Sequence, residues 1–305
     1  MKLPPQIRFI QRGWFNSNNI LILGDDGPVI IDTGHEADAA TTLHLIAAEG
    51  IDPHEISLIV NTHCHWDHFG GNRALKVISD APLATSKQTA AIFAANDREA
   101  MWLDYFGVNF VPETADLTWQ DGDMVELSGL PFEVIAAPGH APDTILFYQP
   151  DHKLLISADA LHEQDCGVLN VVVHGFGVVD SALTTVDRLL TYDIELALPG
   201  HGPIITDVVG SLAALKKRLA GFKHDPRRLA YHLARRVTMA ALLESQPIER
   251  QNFISMVSEL PWTRDYAPLC GYDDREQFVI DRLAEFQIRG LLRTIENMLV
   301  SNVQR

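Results

Sequence analysis

Short apolar runs that stop on polar residues constrain the fold of this chain more than any other feature of its sequence. Seven such runs lie between residues 20 and 198, at 20–23, 28–32, 56–61, 131–137, 145–148, 154–157 and 194–198. Runs of this length and composition predict β-strands. Helical patterns lie between them, at 36–49, 70–78, 86–105 and 181–191. The first two thirds of the chain therefore predict sheets covered by helices.

Five of the predicted strands lead directly into unusual polar residues. These are Asp32, the segment 63–68, His140, Asp159 and His201. In sheets covered by helices, ligands collect beyond the ends of strands, where loops on a rigid scaffold converge. We therefore expect these polar groups to lie in one shared site.

The segment 63–68 holds four side chains that bind metals, namely His63, His65, Asp67 and His68. Imidazole and carboxylate together suit Zn²⁺, Fe or Mn rather than Ca²⁺ or Mg²⁺. One tetrahedral ion does not readily accept all four from so short a loop and keep a position open for water. The pattern therefore predicts two divalent ions, with zinc preferred over iron or manganese.

His140, Asp159 and His201 are the expected remaining ligands, and Asp159 suits a bridging position because its carboxylate has two oxygens. Two cations hold a water between them and lower its pKa from about 15.7 toward neutrality. The expected nucleophile is metal-bound hydroxide, and Asp67 and Asp159 are the expected catalytic residues. This chemistry predicts hydrolysis of an ester, thioester, lactone, amide or phosphodiester.

The segment 62–68, Thr-His-Cys-His-Trp-Asp-His, resembles the His-x-His-x-Asp-His signature of the metallo-β-lactamase fold superfamily. Asp32-Thr33-Gly34 precedes it, and Pro-Gly-His at 138–140, Ser-Ala-Asp at 157–159 and Pro-Gly-His at 199–201 follow in the order of that family. The resemblance covers residues 6 to about 205. It implies an αββα sandwich of the α+β class, in which two packed β-sheets carry helices on their outer faces.

The resemblance also implies how the two ions share their ligands. One ion would be bound by His63, His65 and His140, the other by Asp67, His68 and His201, with Asp159 bridging the two. Asp32 would stand behind the ligands as an orienting carboxylate, a role that fixes the geometry of histidine ligands.

Departures from particular subfamilies narrow the expected function. β-Lactamases of this fold commonly carry a cysteine where Asp159 stands, so antibiotic hydrolysis is disfavoured. Hydrolases similar to glyoxalase II and bacterial lactonases fit the motifs, and the single-iron persulfide dioxygenases stay open. The preferred prediction is a dinuclear metal-dependent hydrolase of a small ester, thioester or lactone. The alternatives are a nuclease or phosphodiesterase of the same fold, and a metabolite-binding regulatory protein with incidental turnover.

The chain changes character near residue 207. Residues 1–207 form the predicted catalytic domain, and 208–305 form a predicted helical domain that resembles a small, winged-helix-like appendage. Helices are expected at 210–222, 226–244 and 273–288, the last with Asp273 and Glu276 at capping-box spacing. The tail at 291–300 is expected to form a strand-turn or another helix.

Charge is divided unequally between these two parts. The net charge is −16, and residues 207–305 carry 15 basic and 12 acidic residues, which leaves 9 basic and 28 acidic residues in the first 206. An acidic surface repels phosphate chains, so nucleic acid is not the expected partner. The expected partner is a small-molecule substrate, and a homodimer is left open.

Two side-chain clusters in the sequence have open interpretations. The basic clusters at 216–218, 227–228 and 235–236 suit solvated helix faces, salt bridges to the acidic part, or contacts to an anionic substrate tail such as a phosphate or the nucleotide of a coenzyme A thioester. Met101, Trp102, Tyr105 and Phe106 lie at helical spacing and predict core packing, with a substrate-facing wall as the alternative. His162 and His174 are further candidates for substrate contact.

Neither a disulfide framework nor membrane insertion is expected. The three cysteines, Cys64, Cys166 and Cys270, are an odd number and far apart. No apolar run approaches the roughly 18 residues of a membrane-spanning helix. We therefore expect a cytoplasmic protein.

Overall fold

Two β-sheets form the centre of the molecule, which is described here by a computed structural model covering residues 2–163 and 165–303 of 305. The first sheet has six strands in the order β1 to β6. They are β1 (Ile7–Ile10), β2 (Asn19–Ile22), β3 (Val29–Ile31), β4 (Leu58–Val60), β5 (Leu83–Ser86) and β6 (Leu117–Trp119). The pairs from β1 to β3 are antiparallel, and those from β3 to β6 are parallel.

The second sheet has five strands in the order β11-β10-β9-β8-β7. They are β7 (Met124–Leu127), β8 (Leu130–Ala136), β9 (Ile145–Gln149), β10 (Leu154–Ala158) and β11 (Leu196–Pro199). Its pairs are antiparallel except for β10 with β11, which run parallel.

The central strands are continuous apolar runs because both of their faces are buried. Successive side chains of a strand point to opposite faces. In β10, Leu154 and Ile156 belong to an apolar cluster built from strands of both sheets, whereas Leu155 belongs to the larger cluster that includes the helices. The same alternation places Ile30 of β3 toward the helices and Ile31 toward the other sheet. The predicted αββα sandwich is therefore confirmed.

Helices connect the strands of the two sheets. They are α1 (Ala39–Ala48), α2 (Trp66–Phe69), α3 (Asn72–Ser79), α4 (Lys87–Ala95), α5 (Leu103–Phe106) and α6 (Gly177–Leu189). The prediction of one helix over 86–105 was wrong. Asn96 adopts a left-handed conformation with φ of 47° and ends α4, a common way for a helix to terminate.

Five further helices and a small sheet follow β11. They are α7 (Val208–His224), α8 (Pro226–Ser245), α9 (Arg250–Glu259), α10 (Pro261–Leu269) and α11 (Arg275–Ile288), with β12 (Ile248–Glu249), β13 (Leu292–Ile295) and β14 (Met298–Ser301). The strands pair antiparallel in the order β12-β14-β13. The tail at 291–300 is therefore a hairpin. Its turn residues Glu296 and Asn297 both have positive φ, as a tight two-residue turn requires.

The prediction that Asp273 caps α11 was wrong by one residue. The capping side chain is that of Asp274, which accepts hydrogen bonds from the backbone N–H groups of Glu276 and Gln277. From the sequence alone, Asp273 and Asp274 are both suitable N-cap residues for α11. The backbone of Asp274 has the extended conformation that an N-cap needs.

The C-terminal helices share an apolar core with the sandwich. One continuous cluster contains Leu155 of β10 together with Leu233 of α8 and Tyr266 of α10. The Tyr266 hydroxyl donates a hydrogen bond to Asn170 Oδ1 at 2.8 Å, across the two parts. The division at residue 207 and the winged-helix-like character stay predictions. In the part of the chain that the structure describes, no helix is both long and apolar enough to cross a membrane.

Candidate metal centre

All the candidate ligands lie just beyond strand ends and come together at one edge of the sandwich. The loop after β4 supplies His63 and His65, and the short helix α2 supplies Asp67 and His68. The loops after β8, β10 and β11 supply His140, Asp159 and His201. Their side-chain donor atoms form three groups, in each of which all atoms lie within 4.8 Å of one another. The groups are His63, His65 and His140; His63, His68 and Asp159; and Asp67, His68 and His201.

Asp159 lies between the two halves of this cluster. One of its oxygens, Oδ2, is 3.4 Å from His140 Nε2 and 3.7 Å from His201 Nε2. The other, Oδ1, is 3.5 Å from His68 Nε2. His201 Nε2 also lies 3.3 Å from Asp67 Oδ2. The carboxylate of Asp159 is thus within reach of both groups of donors, which is the position that a bridging ligand occupies.

Four imidazole nitrogens of the cluster residues are buried without a hydrogen-bond partner among the described residues. They are Nε2 of His63, His65 and His68 and Nδ1 of His201. A buried polar atom without a partner costs free energy, so each such atom needs a physical explanation. Imidazole nitrogens beside carboxylates are the donors that zinc, iron and manganese prefer. This donor set fits divalent metal cations.

Burial and neighbouring charges prepare these side chains for metal binding. Burial lowers the pKa of His63 and His65 well below the usual value, and it lowers the pKa of His140 to about 4. These imidazoles are therefore neutral at pH 7, as metal ligation requires. Burial alone would raise the pKa of Asp159, but His201 and other histidines lower it well below its usual range, so this carboxylate is ionised.

Asp32 lies directly behind the ligands. Its carboxylate accepts hydrogen bonds from the backbone N–H of Thr62 at 3.0 Å and from the Thr62 hydroxyl at 2.8 Å. The Asp32 Oδ2 atom is also 2.8 Å from His68 Nδ1, which leaves His68 Nε2 facing the cluster. Asp32 adopts φ of 56°, a left-handed conformation that aspartate tolerates better than most residues. These contacts are those of an orienting carboxylate.

A second buried carboxylate, Asp143, supports the same loop and was not identified from the sequence. It accepts a hydrogen bond from the backbone N–H of Cys64 at 2.8 Å and from the Thr89 hydroxyl at 2.6 Å. Burial raises the pKa of the Cys64 thiol well above its usual value, so Cys64 stays a neutral thiol in the core. No sequence signal marks Asp143, because its role depends on contacts with residues 54 and 79 positions away.

The loop between β1 and β2 fastens two ligand-bearing loops together. Asn18 Nδ2 donates to the carbonyl oxygens of Pro199 and Gly202, both at 2.9 Å, on either side of His201. The backbone N–H of Ser17 donates to the carbonyl of Asp67 at 3.1 Å. The loop therefore holds Asp67 and His201 beside each other.

Glycine is required at two positions that touch the ligands. A side chain at Gly200 would collide with the Asp159 carboxylate and with the His68 ring. A side chain at Gly167 would collide with the ring of His140. The absence of a Cβ atom at these positions lets the backbone approach the ligand cluster closely.

A small apolar cavity opens onto the ligands. Its volume is about 80 Å³. Its apolar walls are Trp14, Phe15, Trp66, Trp102, Phe106, Val168, Val237 and Ala240. The ring of Trp102 lies 3.9 Å from that of His65, centroid to centroid. An aromatic cavity beside metal-competent groups suits a substrate with a small apolar portion.

The structure shows which of the aromatic and histidine side chains with two possible roles line the cavity. Trp102 and Phe106 line the cavity, as the substrate-facing alternative requires, whereas Met101 is fully buried in the core. The Tyr105 hydroxyl contacts Asp265 of α10. His162 lines the cavity with its Nε2 atom 3.3 Å from Asp159 Oδ1. His174 is not among the residues that line it.

The sequence comparisons agree with this geometry. Residues 12–201 match the family model of the metallo-beta-lactamase superfamily. A hydroxyacylglutathione hydrolase of Ectopseudomonas mendocina is 32% identical over 160 residues, which cover 51% of this chain and 51% of that protein. A probable metallo-hydrolase of Bacillus subtilis is 27% identical over 202 residues, which cover 65% of this chain and 90% of that protein. The chain thus spans about half the length of the hydroxyacylglutathione hydrolase it matches.

Solved structures extend the similarity of fold to the C-terminal helices. A metallo-beta-lactamase family protein from Thermus thermophilus superposes with a TM-score of 0.59 at 19% identity, over 99% of this chain and 100% of that chain. A metallo-beta-lactamase from Cronobacter sakazakii superposes with a TM-score of 0.54 at 21% identity, over 95% of this chain and 96% of that chain.

Proposed function

The chain belongs to the metallo-β-lactamase superfamily, and from this premise we propose that it is a metal-dependent hydrolase that cleaves a small ester, thioester or lactone with two divalent cations. The observation that carries this proposal is the convergence of seven donor side chains, in which buried imidazole nitrogens such as Nε2 of His63 have no hydrogen-bond partner in the described chain. A thioester is the first substrate class to test, since relatives at about 30% identity are named hydroxyacylglutathione hydrolases.

We assign His63, His65 and His140 to one cation and Asp67, His68 and His201 to the other, with Asp159 between them. This assignment follows the two outer groups of donor atoms and the central place of Asp159. When bound, such a pair of cations polarises an acyl carbonyl and supplies hydroxide at neutral pH. We propose zinc as the metal, with iron or manganese as the alternatives that the same ligands accept.

The protein's own groups set the orientation of the reaction. The Asp67 carboxylate, at the mouth of the cluster, is placed to accept a hydrogen bond from the attacking oxygen and so to direct it. The aromatic walls make the surroundings of the ligands apolar, and an apolar environment strengthens electrostatic interactions there. Asp32 and Asp143 hold the loop that carries four of the ligands. We also propose a cytoplasmic location, which three free and buried cysteines support.

Metal analysis and a substrate panel test this proposal. We expect two equivalents of metal for each purified chain, and we expect hydrolysis of thioesters or lactones to stop on chelation and to return when metal is added back. The panel should include bis-p-nitrophenyl phosphate. A chain that binds no metal, or one that cleaves the phosphodiester far faster than every ester, would contradict the proposal.

A further inference from the structure

Positive charge is concentrated on one surface beside the candidate metal centre, although the chain as a whole carries a net charge of −16. Seven cationic side chains line two adjoining cavities there. We call this surface the basic groove, and its cations are Lys217, Arg218, Arg227, Arg228, Arg235, Arg236 and Arg289. Helices α7 and α8 carry all of them except Arg289, which directly follows α11.

The basic groove adjoins the cavity over the metal ligands. Arg236 and Trp14 line both that cavity and the neighbouring one. Arg218 and Arg235 line both the neighbouring cavity and the outermost one. The shared lining residues thus place the three cavities side by side, from the ligand cluster to the far end of the groove.

The acidic partners of these cations do not neutralise the groove. Asp165 contacts Arg218 at 3.0 Å and Arg236 at 4.0 Å. Glu285 contacts Arg235 at 3.1 Å and Arg289 at 3.3 Å. Asp225, the acidic residue that lines the outermost cavity, caps the first turn of α8. These three carboxylates are fewer than the seven cations of the basic groove, so the groove keeps a net positive charge.

Two of the cations are free to bind an anion. Lys217 and Arg228 are exposed and have no ion-pair partner among the residues that the structure describes. Burial lowers the pKa of His232, which lines both cavities of the groove, to about 4, so His232 is neutral at pH 7 and adds no charge. The excess positive charge therefore comes from groups that stay charged over the whole physiological pH range.

The two ends of this path suit different parts of a substrate. The cavity at the ligands measures about 80 Å³ and has aromatic walls, whereas the outermost cavity measures about 680 Å³ and is lined by cations. A small apolar group fits the first, and a large anionic group fits the second. Arginine suits phosphate in particular, because its guanidinium donates two parallel hydrogen bonds.

We propose that the basic groove binds the phosphorylated leaving group of a thioester whose acyl group lies over the metal ligands. This inference rests on the proposed hydrolase function and specifies its substrate class. In the reaction the oxygen of water forms a bond to the acyl carbon and the C–S bond breaks. The sulfur leaves with one proton as a thiol, the acid product releases the other, and nothing is oxidised or reduced.

A small phosphorylated molecule fits this surface better than a long nucleic acid does. The groove adjoins the first 206 residues, which carry 9 basic and 28 acidic residues and so repel an extended phosphate chain.

The test compares two thioesters that share one acyl group. Acyl-coenzyme A carries phosphates, and the matching acyl-pantetheine carries none. The metal-loaded full chain is compared with the charge reversal K217E/R228E. The matched control is R73E/K87E, which changes the net charge equally at two exposed cations outside the groove that have no ion pair among the described residues.

We expect the wild-type protein to favour acyl-coenzyme A by about tenfold or more in kcat/KM, which corresponds to about 1.4 kcal/mol. The preference should fall by a similar factor in K217E/R228E, through KM, and should persist in R73E/K87E. Equal kcat/KM values for the two thioesters in all three proteins would overturn the inference and leave the proposed hydrolase function standing.

A binding measurement tests the anion site in the basic groove separately from the proposed hydrolase function. Calorimetry with coenzyme A should show salt-sensitive binding that K217E/R228E loses and R73E/K87E keeps. If no thioester is hydrolysed but this binding pattern is found, the proposed function fails and the anion site stands. Absence of binding to the wild-type protein contradicts the anion site. Cleavage of a single-stranded RNA in preference to both thioesters overturns the inference in favour of a nuclease.

Discussion

At the scale of single residues, the ligand cluster depends on one carboxylate that faces two groups of donors. Asp159 lies within 3.7 Å of nitrogens of His68, His140 and His201. Removing it should release one metal equivalent and lower kcat by more than about a hundredfold, because the remaining donors would no longer hold the second ion in place. Metal analysis, kinetics and circular dichroism of Asp159→Ala measure this. Full metal occupancy with wild-type rates would contradict the bridging assignment.

Asp32 should act on metal affinity through His68 rather than through substrate. Asn in its place keeps the size but loses the charge that fixes the His68 ring, whose Nδ1 atom lies 2.8 Å from the carboxylate. We expect Asp32→Asn to weaken metal binding by about 10- to 100-fold. Competition with a chelator of known affinity measures this, and excess metal should restore most of the activity. Unchanged metal affinity would show that Asp32 only supports the turn.

At the scale of elements, the site requires the end of β11 to approach the end of β10. Gly200 follows β11 and touches the Asp159 carboxylate and the His68 ring. Gly200→Ala should therefore displace these ligands, lower metal content and destabilise the protein by about 1–3 kcal/mol, the usual cost of overpacking. Thermal unfolding and metal analysis measure both effects.

Gly177 provides the matched control for this substitution. It is the first residue of α6, and a methyl group there would meet open space. Gly177→Ala should leave metal content unchanged and should not lower stability, since alanine favours helix more than glycine does. If both variants behaved alike, the close approach at Gly200 would not matter.

At the scale of the whole molecule, the C-terminal helices and the sandwich share one apolar core. That continuity predicts a single cooperative unfolding transition. Tyr266→Phe, which removes a buried hydrogen bond to Asn170 between the two parts, should lower the free energy of unfolding by about 1 kcal/mol. Calorimetry on the full chain with and without this change measures both. Two separate transitions in the wild-type protein would show that the parts unfold independently.

The sequence by itself determined the sandwich and the set of candidate ligands. Strands that are apolar on both faces must have both faces buried, which predicts a sandwich. The spacing of His63, His65, Asp67 and His68 is too close for one extended strand, which predicts that these side chains follow the end of a strand. Both are local properties, so they can be recognised before any contact is known. The end of α4 at Asn96 and the cap of α11 at Asp274 could not be recognised in this way. The local residues were equally compatible with a helix that continues past Asn96 and with a cap at Asp273.

Only the tertiary structure decided what surrounds the ligands. Asp143 hydrogen-bonds to Cys64 in the loop after β4, although the two residues are 79 positions apart in the sequence. Trp14 and Arg236, which are more distant still in the sequence, line the same cavity. Such contacts carry no periodic or motif signal, since each depends on how α8 and the β1–β2 loop pack onto the sandwich. The physical reason is that chemistry at the cations needs a few residue types at fixed local spacing, whereas the shape and charge of the substrate site arise from packing between distant elements.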